Sequence, residues 1–588
     1  MHSDITRLFD ILEFAKEKYN NKPALAGKRG GKWVLYSQQE FIDNSNYVTA
    51  ALLKKGIQKG QFVVNISDNR PEWNFLDMGV LQAGAVHVPV FPTISMEELE
   101  YILKEVKPKF IFVSSRFLIN RIQKVSDLHS CEIYSYDSSG ENDQSNKFSE
   151  LLELGRQDYN VSQVEAVKEK VKPEDLASVI YTSGTTTMPK GVMLTHRNHI
   201  ANIEVTAPGI GIDENMNRLS YLPLSHSYER MVNYVSMLKG LTIYYNENMA
   251  NIVANFSQVK PGILITVPLL LERIYKGVIN KQEDLKGFSR LIYKKALRFA
   301  LSRKNPDLLS FYDKLKFWLF NKLVFSKWKA MLGGKVSKII VGGAAVSRPV
   351  YSFFNMIGIP VYEGYGLTEM APLISYNNTD YNKPGTVGQS ISNVMIRISE
   401  TGEVLVKGPN LMKGYYLHEE LTNQAVDDQG WLHTGDMGSI DIEGYLKITG
   451  RIKDIFKTSS GIYVYPERIE NQLKLSSFIE HVMVVGEYQD YLSALIVLNK
   501  DYVKKWAKKQ SEQVDLVKSE ALHQIIRQHV DKFNESARDA HQVKKFLLLD
   551  DEWSIDGGEL TPSMKLKRQN LIKRYQKEVQ SFYESPAL

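Results

Sequence analysis

The residues best placed to do chemistry lie between Val179 and Gly191. There an apolar run through Tyr181 meets Thr182, Ser183, Gly184, Thr185, Thr186, Thr187, Met188, Pro189 and Lys190. A strand feeding a hydroxyl-rich, glycine-containing loop that closes on a lysine offers backbone N–H groups, side-chain donors and a cation. A polyphosphate needs this set of groups. The nucleoside-triphosphatase loop is excluded, because it requires Gly-Lys-Ser/Thr and here Lys190 follows Pro189 and precedes Gly191. The plainer reading of a Ser/Thr/Gly stretch is a surface turn; the preceding strand, the length and the Pro-Lys-Gly ending argue against it.

Six further segments follow in order. They are Tyr221-Leu222-Pro223-Leu224-Ser225-His226-Ser227-Tyr228-Glu229-Arg230, Gly342-Gly343-Ala344-Ala345, Tyr362-Glu363-Gly364-Tyr365-Gly366-Leu367-Thr368-Glu369, Gly430-Trp431-Leu432-His433-Thr434-Gly435-Asp436, Gly450 to Gly461, and Leu560-Thr561-Pro562-Ser563-Met564-Lys565. With the loop at 182–191, their order and spacing resemble the adenylate-forming superfamily of acyl-CoA synthetases, luciferases and peptide-synthetase adenylation domains over nearly the whole chain.

The resemblance implies ATP-dependent activation of a carboxylate through an acyl-adenylate, with ATP, Mg²⁺ and coenzyme A as cofactors and co-substrate. It implies that Thr182 and Glu369 are associated with magnesium. Ser183, Gly184, Thr185, Thr186 and Lys190 would surround the phosphates. Gly343, Ala344, Glu363, Gly364 and Tyr365 would form the adenine slot, with Tyr365 stacked on the ring, and Gly366 and Thr368 would also bind the nucleotide. Asp436 would accept from the ribose hydroxyls beside Arg451. Lys565 would bridge carboxylate and α-phosphate, and His226 would gate or orient the acid; Lys457 and Gly461 join the catalytic set, Gly461 where the pantetheine arm passes. Lys453 matches the hinge about which a small domain rotates between half-reactions. Thr187 departs from the pattern, since most relatives carry Gly there; a β-branched residue is strained if that position needs φ > 0.

Among branches, the peptide-synthetase reading lacks the aspartate it would need near His226: none stands in Leu222–Met231. The long insertion from Leu291 to Lys338, with Val267-Pro268 and Arg273-Ile274-Tyr275, looks like the long-chain fatty acid–CoA ligase branch. The alternatives are a fatty acyl-AMP ligase that loads a carrier protein and a non-catalytic nucleotide- or lipid-binding homologue.

The elements that must position these residues are legible in outline. A chain of 588 residues exceeds one compact core, so at least two domains are expected. Alternating extended and helical patterns, such as Phe110–Val113 before Ser114, point to an α/β class with a largely parallel sheet. The expectation is a large N-terminal domain of layered αβα sheets (1–452) and a small, mobile C-terminal α/β domain (453–588), with strands near Val482–Val485 and Ala494–Leu498. Asp137–Lys147 reads as an exposed loop.

Composition is that of a globular enzyme, 43% hydrophobic and 24% charged, and the net charge of +6 suits anionic partners without demanding them. Nucleic acid is not expected, since no arginine-rich tail or recognition motif accompanies the charge. One cysteine, Cys131, forbids an intrachain disulfide and fits a reducing, cytoplasmic setting. Residues 1–14 lack the pattern of a signal peptide. Residues 291–338 mix twelve lysines and arginines with Leu, Phe and Trp. Such a stretch is either a surface helix pair with a buried apolar face or a peripheral contact with an anionic membrane.

Overall fold

The computed structural model describes residues 5–125, 131–137, 146–182, 188–303, 306, 309–510 and 519–584. The large domain is built on an eight-stranded sheet. From one edge its strands run Gly414–Tyr415, Lys190–Thr195, Leu176–Thr182, Val86–Val90, Phe62–Ile66, Phe110–Val113, Glu132–Ser135 and Asn146–Lys147. The pairings from Leu176–Thr182 outward through Asn146–Lys147 are parallel, and the first two strands are antiparallel additions. Apolar residues fill both faces: Val63, Phe110, Phe112 and Ile180 enter one core cluster, and Val64, Ile111, Val113 and Val179 another. This is why these strands read as unbroken apolar runs and not as alternating ones.

A five-stranded sheet (Ile263–Thr266, Lys338–Val341, Val361–Gly366, Leu373–Tyr376, Gln389–Ser390) carries the helices Pro268–Asp284, Gly287–Ser302 and Arg348–Met356 on its own core. Two four-stranded sheets complete the domain, one of them the antiparallel Met395–Ile398, Glu403–Lys407, Leu432–Ile440 and Leu446–Arg451. The smaller C-terminal domain folds on Ile479–Val485, Leu492–Leu498 and Val543–Leu549, again with separate clusters on the two faces: Val482, Val484, Ala494 and Ile496 against Met483, Val485, Leu495 and Val497. The mixed α/β architecture with a large and a small domain is as the sequence implied.

Two local expectations change. The segment expected to be loop up to Lys147 ends in the edge strand Asn146–Lys147, while 138–145 lie outside the described residues. The 291–338 segment is not one amphipathic unit. Helix Gly287–Ser302 buries Tyr293, Ala296, Leu297, Phe299 and Ala300, whereas helix Phe311–Phe320 buries no residue. Among the described residues no helix is long and apolar enough to cross a membrane.

Candidate active site

Asp436 and Arg451 are fifteen positions apart in sequence, yet the antiparallel register of Leu432–Ile440 on Leu446–Arg451 sets them directly opposite each other. Arg451 Nε lies 3.4 Å from Asp436 Oδ1, Tyr365 donates its hydroxyl to Oδ2 at 2.7 Å, and the Asp436 N–H is accepted by Thr434 Oγ1 at 3.1 Å. Burial pushes the Asp436 carboxyl above its ordinary pKa, and Arg451, the Tyr365 hydroxyl and Lys565 pull against it. Burial, then Asp436, raises the Tyr365 phenol. Burial opposes the charge of Arg451, and Asp436 and Asp454 outweigh it, so its pKa rises. A desolvated carboxylate of this kind suits a neutral diol.

Tyr365 stands on strand Val361–Gly366, and the shelf beside it is shaped by small residues. Gly343 has φ +86° and is exposed with Ala344 just past strand Lys338–Val341, a backbone that a side chain would strain. A Cβ on Gly366 would meet the Pro372 carbonyl oxygen at 2.1 Å; on Gly364 the nearest atoms lie at an ordinary 3.4 Å. Glu363 is buried, accepts the Val346 N–H at 3.0 Å, and is pushed by that burial to about 7. Thr368 bonds Ser227 between hydroxyls at 3.0 Å, tying this shelf to helix Ser227–Leu238.

Across the cleft, Thr182 pairs in register with Lys190 at the mouth of the hairpin that carries the hydroxyl-rich loop. Ser183, Gly184, Thr185, Thr186 and the divergent Thr187 lie outside the described residues. Lys190 Nζ sits 5.0 Å from the centre of the Tyr415 ring, and the Tyr415 hydroxyl donates to Glu369 Oε1 at 2.9 Å. Burial lowers the Lys190 pKa, Lys453 lowers it further, and Glu369 opposes both. A partly desolvated lysine beside a second cation is stabilised by a bound anion.

Lys565 enters from the small domain on a turn closed by its N–H to Thr561 Oγ1 (3.1 Å) and by the Thr561 N–H to the Lys565 carbonyl (2.8 Å), with Met564 at φ +63°. Burial, then Arg451, lowers its pKa, and Glu467 and Asp436 oppose. His226 is brought to the same place: burial, then Lys565, pushes its imidazole down to about 4. His226 also caps helix Ser227–Leu238, its Nδ1 accepting the Tyr228 N–H at 3.2 Å, which assigns the ring proton to Nε2.

Lys457 and Gly461 are not drawn in with these groups. Both are exposed, on and between the strands Phe456–Lys457 and Tyr463–Val464, where Lys457 Nζ rests 4.7 Å from the Tyr463 ring centre. Gly461 has φ +78°, with no atom within 4 Å of where a Cβ would stand.

The donor set bears on magnesium. Among the described residues no cluster of three His, Cys, Asp or Glu could hold a metal ion. Glu369 and Thr182 present one carboxylate and one hydroxyl near Lys190, which fits an ion that is bound through phosphate oxygens and keeps waters, and does not fit a caged metal.

A sequence model described as AMP-binding enzyme matches residues 12–416, and one described as AMP-binding enzyme C-terminal domain matches 453–587. The chain belongs to the AMP-binding enzyme family. A long-chain-fatty-acid–CoA ligase of Mycobacterium bovis is 29% identical over 569 residues, covering 94% of this chain and 93% of that protein. Long-chain-fatty-acid–CoA ligase 5 of Rattus norvegicus is 30% identical over 625 residues, covering 99% and 89%. The adenylation domain of a carboxylate reductase from Mycobacterium chelonae shares the fold, with a TM-score of 0.78 at 19% identity over 98% of this chain and 91% of that one. The o-succinylbenzoate CoA synthetase of Bacillus subtilis, solved with its acyl-adenylate, gives 0.67 at 19% identity over 95% and 97%.

Several residues of this family member that hold the site went unnoticed in the sequence. Tyr415 links Lys190 to Glu369 and belongs to none of the seven motifs. Beneath helix Ser227–Leu238, Asp77 meets Arg230 (2.6 Å), His87 (2.5 Å) and Tyr234 (2.7 Å), all buried. Burial would raise the Asp77 carboxyl, but Arg230 and His87 hold it down at about 2. Glu229, the neighbour of Arg230, pairs with buried Arg218. The Glu-Arg ending of the His226 motif is therefore a foundation, fixing the helix whose cap is His226.

Proposed function

We propose that this protein activates a long-chain fatty acid with ATP and transfers the acyl group to coenzyme A, releasing AMP and pyrophosphate. The observation that carries the reading is the meeting of Lys565 from the small domain with Asp436, Arg451 and His226 of the large one. A cation is poised there beside Asp436, a buried carboxylate whose partners Arg451 and Tyr365 suit a ribose. In the first step a carboxylate oxygen attacks the α-phosphorus and the bond to pyrophosphate breaks. Lys565 balances charge on the acid and the α-phosphate, Lys190 takes the leaving phosphates, and Asp436 and Arg451 hold the ribose on the shelf of Gly343, Ala344, Glu363, Gly364, Tyr365 and Gly366. The Tyr365 hydroxyl already engages Asp436, so its ring serves the adenine slot while its phenol orders the carboxylate. Magnesium, held by Glu369 and Thr182 on the phosphates, would supply charge neutralisation. His226, neutral with its proton on Nε2, orients the acid as a donor.

In the second step the thiol sulfur attacks the acyl carbonyl, the bond to AMP breaks and the thiol proton is lost. Lys453 is the hinge that brings Gly461 and Lys457 into place of Lys565, and the boundary between 452 and 453 belongs to the same proposal. The long-chain preference rests on the names of the relatives, and each methylene buried adds about 0.8 kcal/mol. ATP–pyrophosphate exchange across acids of increasing length, then thioester detection with coenzyme A or a carrier protein, tests this. Exchange that rises with chain length and a coenzyme A thioester are expected; absence of acid-dependent exchange refutes the reading.

The acid's source is part of the proposal. On helix Phe311–Phe320 the apolar side chains Phe311 (82% exposed), Tyr312 (76%), Leu315 and Trp318 (60%) recur at helical spacing, and Leu319 and Leu323 extend the face. Exposed Lys314, Lys316, Lys322 and Lys327 flank it. This supports peripheral contact with an anionic bilayer through 311–323, narrower than the whole of 291–338. Co-sedimentation with phosphatidylserine vesicles but not with neutral ones is expected, and Leu315→Asp with Trp318→Asp should abolish it. Equal binding of the double variant removes this helix from the contact.

A further inference from the structure

The cations that follow Lys565 are placed differently from one another. Arg568 turns into its own domain, pairing with Glu470 and with Asp454 at 3.8 Å. Lys567 reaches the other way: its Nζ lies 3.2 Å from Glu98 Oε1, across 469 positions of chain, with side chains 18% and 8% exposed. This ion pair joins residues before 452 to residues after 453.

Both ends of the contact are built in. Glu98 stands in the first turn of helix Met96–Val106; its N–H is accepted by the capping Ser95 Oγ at 3.2 Å, and its Oε2 accepts the Ser95 hydroxyl at 3.0 Å. One carboxylate oxygen is thus held by the helix cap and the other by Lys567. The same helix carries Glu105, which accepts the Tyr181 hydroxyl at 2.7 Å, one residue before Thr182 at the phosphate hairpin. On the small-domain side, the Lys567 N–H is accepted by the Glu559 carbonyl at 2.8 Å, and Leu560 bridges Leu566. Lys567 is therefore fixed on the same closed turn that presents Lys565, two residues away.

We propose that the Glu98–Lys567 pair is a latch of the adenylate-forming arrangement, a positioning contact that sets Lys565 against the phosphate hairpin and must part before the small domain turns. This rests on the two-step reading above. A largely buried pair between two bodies suits a latch, since solvent screens it less than an exposed pair and parting it returns both charges to water.

The test uses Glu98→Gln, which keeps an acceptor for Ser95 but drops the charge, then Lys567→Met, and then both together. Each single variant should lower the turnover of ATP–pyrophosphate exchange about tenfold with little change in the Michaelis constants for ATP and acid. Thioester formation from supplied acyl-adenylate should stay at or above the wild-type rate, and the double variant should be no worse than either single. Exchange within twofold of wild type in both singles, or parallel loss of the thioester step, overturns the latch. A second measurement needs no turnover. Fluorophores at the exposed positions Phe117 and Tyr488, in a Cys131→Ser background, should give one narrow distance distribution that broadens in Glu98→Gln. An unchanged distribution refutes the latch even where wild-type exchange is sound, and absent wild-type exchange alone refutes the reaction instead.

Discussion

On the proposed function, two pieces of the small domain are wanted at one reacting centre, and the structure places them differently. The turn Thr561–Lys565 is closed by two hydrogen bonds, and its lysine stands within electrostatic reach of Arg451, Asp436 and His226. On the ribbon Phe456–Val464, Phe456 and Val464 anchor in the small domain's core while Lys457 and the turn at Gly461 are exposed, with open space around Gly461 and Lys457 resting on Tyr463. A cation set beside a second cation, Arg451, gains from an arriving anion, whereas nothing lies within 4 Å of where a Cβ would stand on Gly461. On that proposal, the difference suits the observed arrangement to adenylate formation and calls for a different placement of the same domain in the thioester step.

The sharpest way to break the comparison is Lys565→Ala. Loss of one preorganised charge should cut ATP–pyrophosphate exchange by about 10²–10³ and spare thioester formation from supplied acyl-adenylate. Exchange within a few-fold of wild type would take Lys565 out of the chemistry.

Next in size is the hinge. Lys453 is exposed and electrostatically close to Lys190, and proline there fixes φ near −65° and removes an N–H. Lys453→Pro should keep exchange and lose most thioester formation. Equal loss of both would mean misfolding, and retention of both would place the hinge elsewhere. Gly461→Ala is a smaller intervention. At φ +78° alanine costs on the order of 1 kcal/mol locally, so exchange should stay within about twofold while the thioester rate falls several-fold. If the two rates fall together, Gly461 is structural.

How far the site could be read from sequence follows from how its residues are held. Motifs whose members are neighbours in the chain, such as Thr434 to Asp436 or Glu363 to Gly366, were visible because one strand delivers them together. Sheet architecture was visible because strands apolar on both faces read as continuous runs. Contacts made by register or by domain docking were not. The resemblance set Arg451 beside Asp436 but not the hairpin register that pairs them, and Tyr415 reaches Lys190 only because a two-residue strand joins the edge of the large sheet. In the Lys/Arg-rich tail after Leu566, Lys567, Arg568 and Arg574 each have a separate acidic partner. Charge pattern alone gives neither the partner nor the direction. The basic helices around Phe311 have a similar composition and the opposite fate, with apolar side chains left outside.

The smallest effect expected concerns the floor that both tools share. Glu363 stands on strand Val361–Gly366, 6% exposed, and burial raises its carboxyl to about 7 while the Val346 N–H restrains the rise. Its pKa in the folded protein thus lies above the ordinary carboxylate value, so between roughly pH 4.5 and 7 the folded state holds a proton that the unfolded chain releases. The stabilisation is complete below that window and is lost as pH rises through about 7, an upper bound of about 3 kcal/mol at pH 8. A glutamine side chain at this position cannot ionise and still offers an oxygen to the Val346 N–H. Glu363→Gln should therefore match wild type in Tm near pH 5 and exceed it near pH 8. Because Glu363 moves with neither the Lys565 turn nor the Gly461 ribbon, any change in rate should be the same in exchange and in thioester formation. A Tm difference that does not vary with pH would show that Glu363 is ionised throughout, and a change confined to one half-reaction would show that the floor itself differs between them.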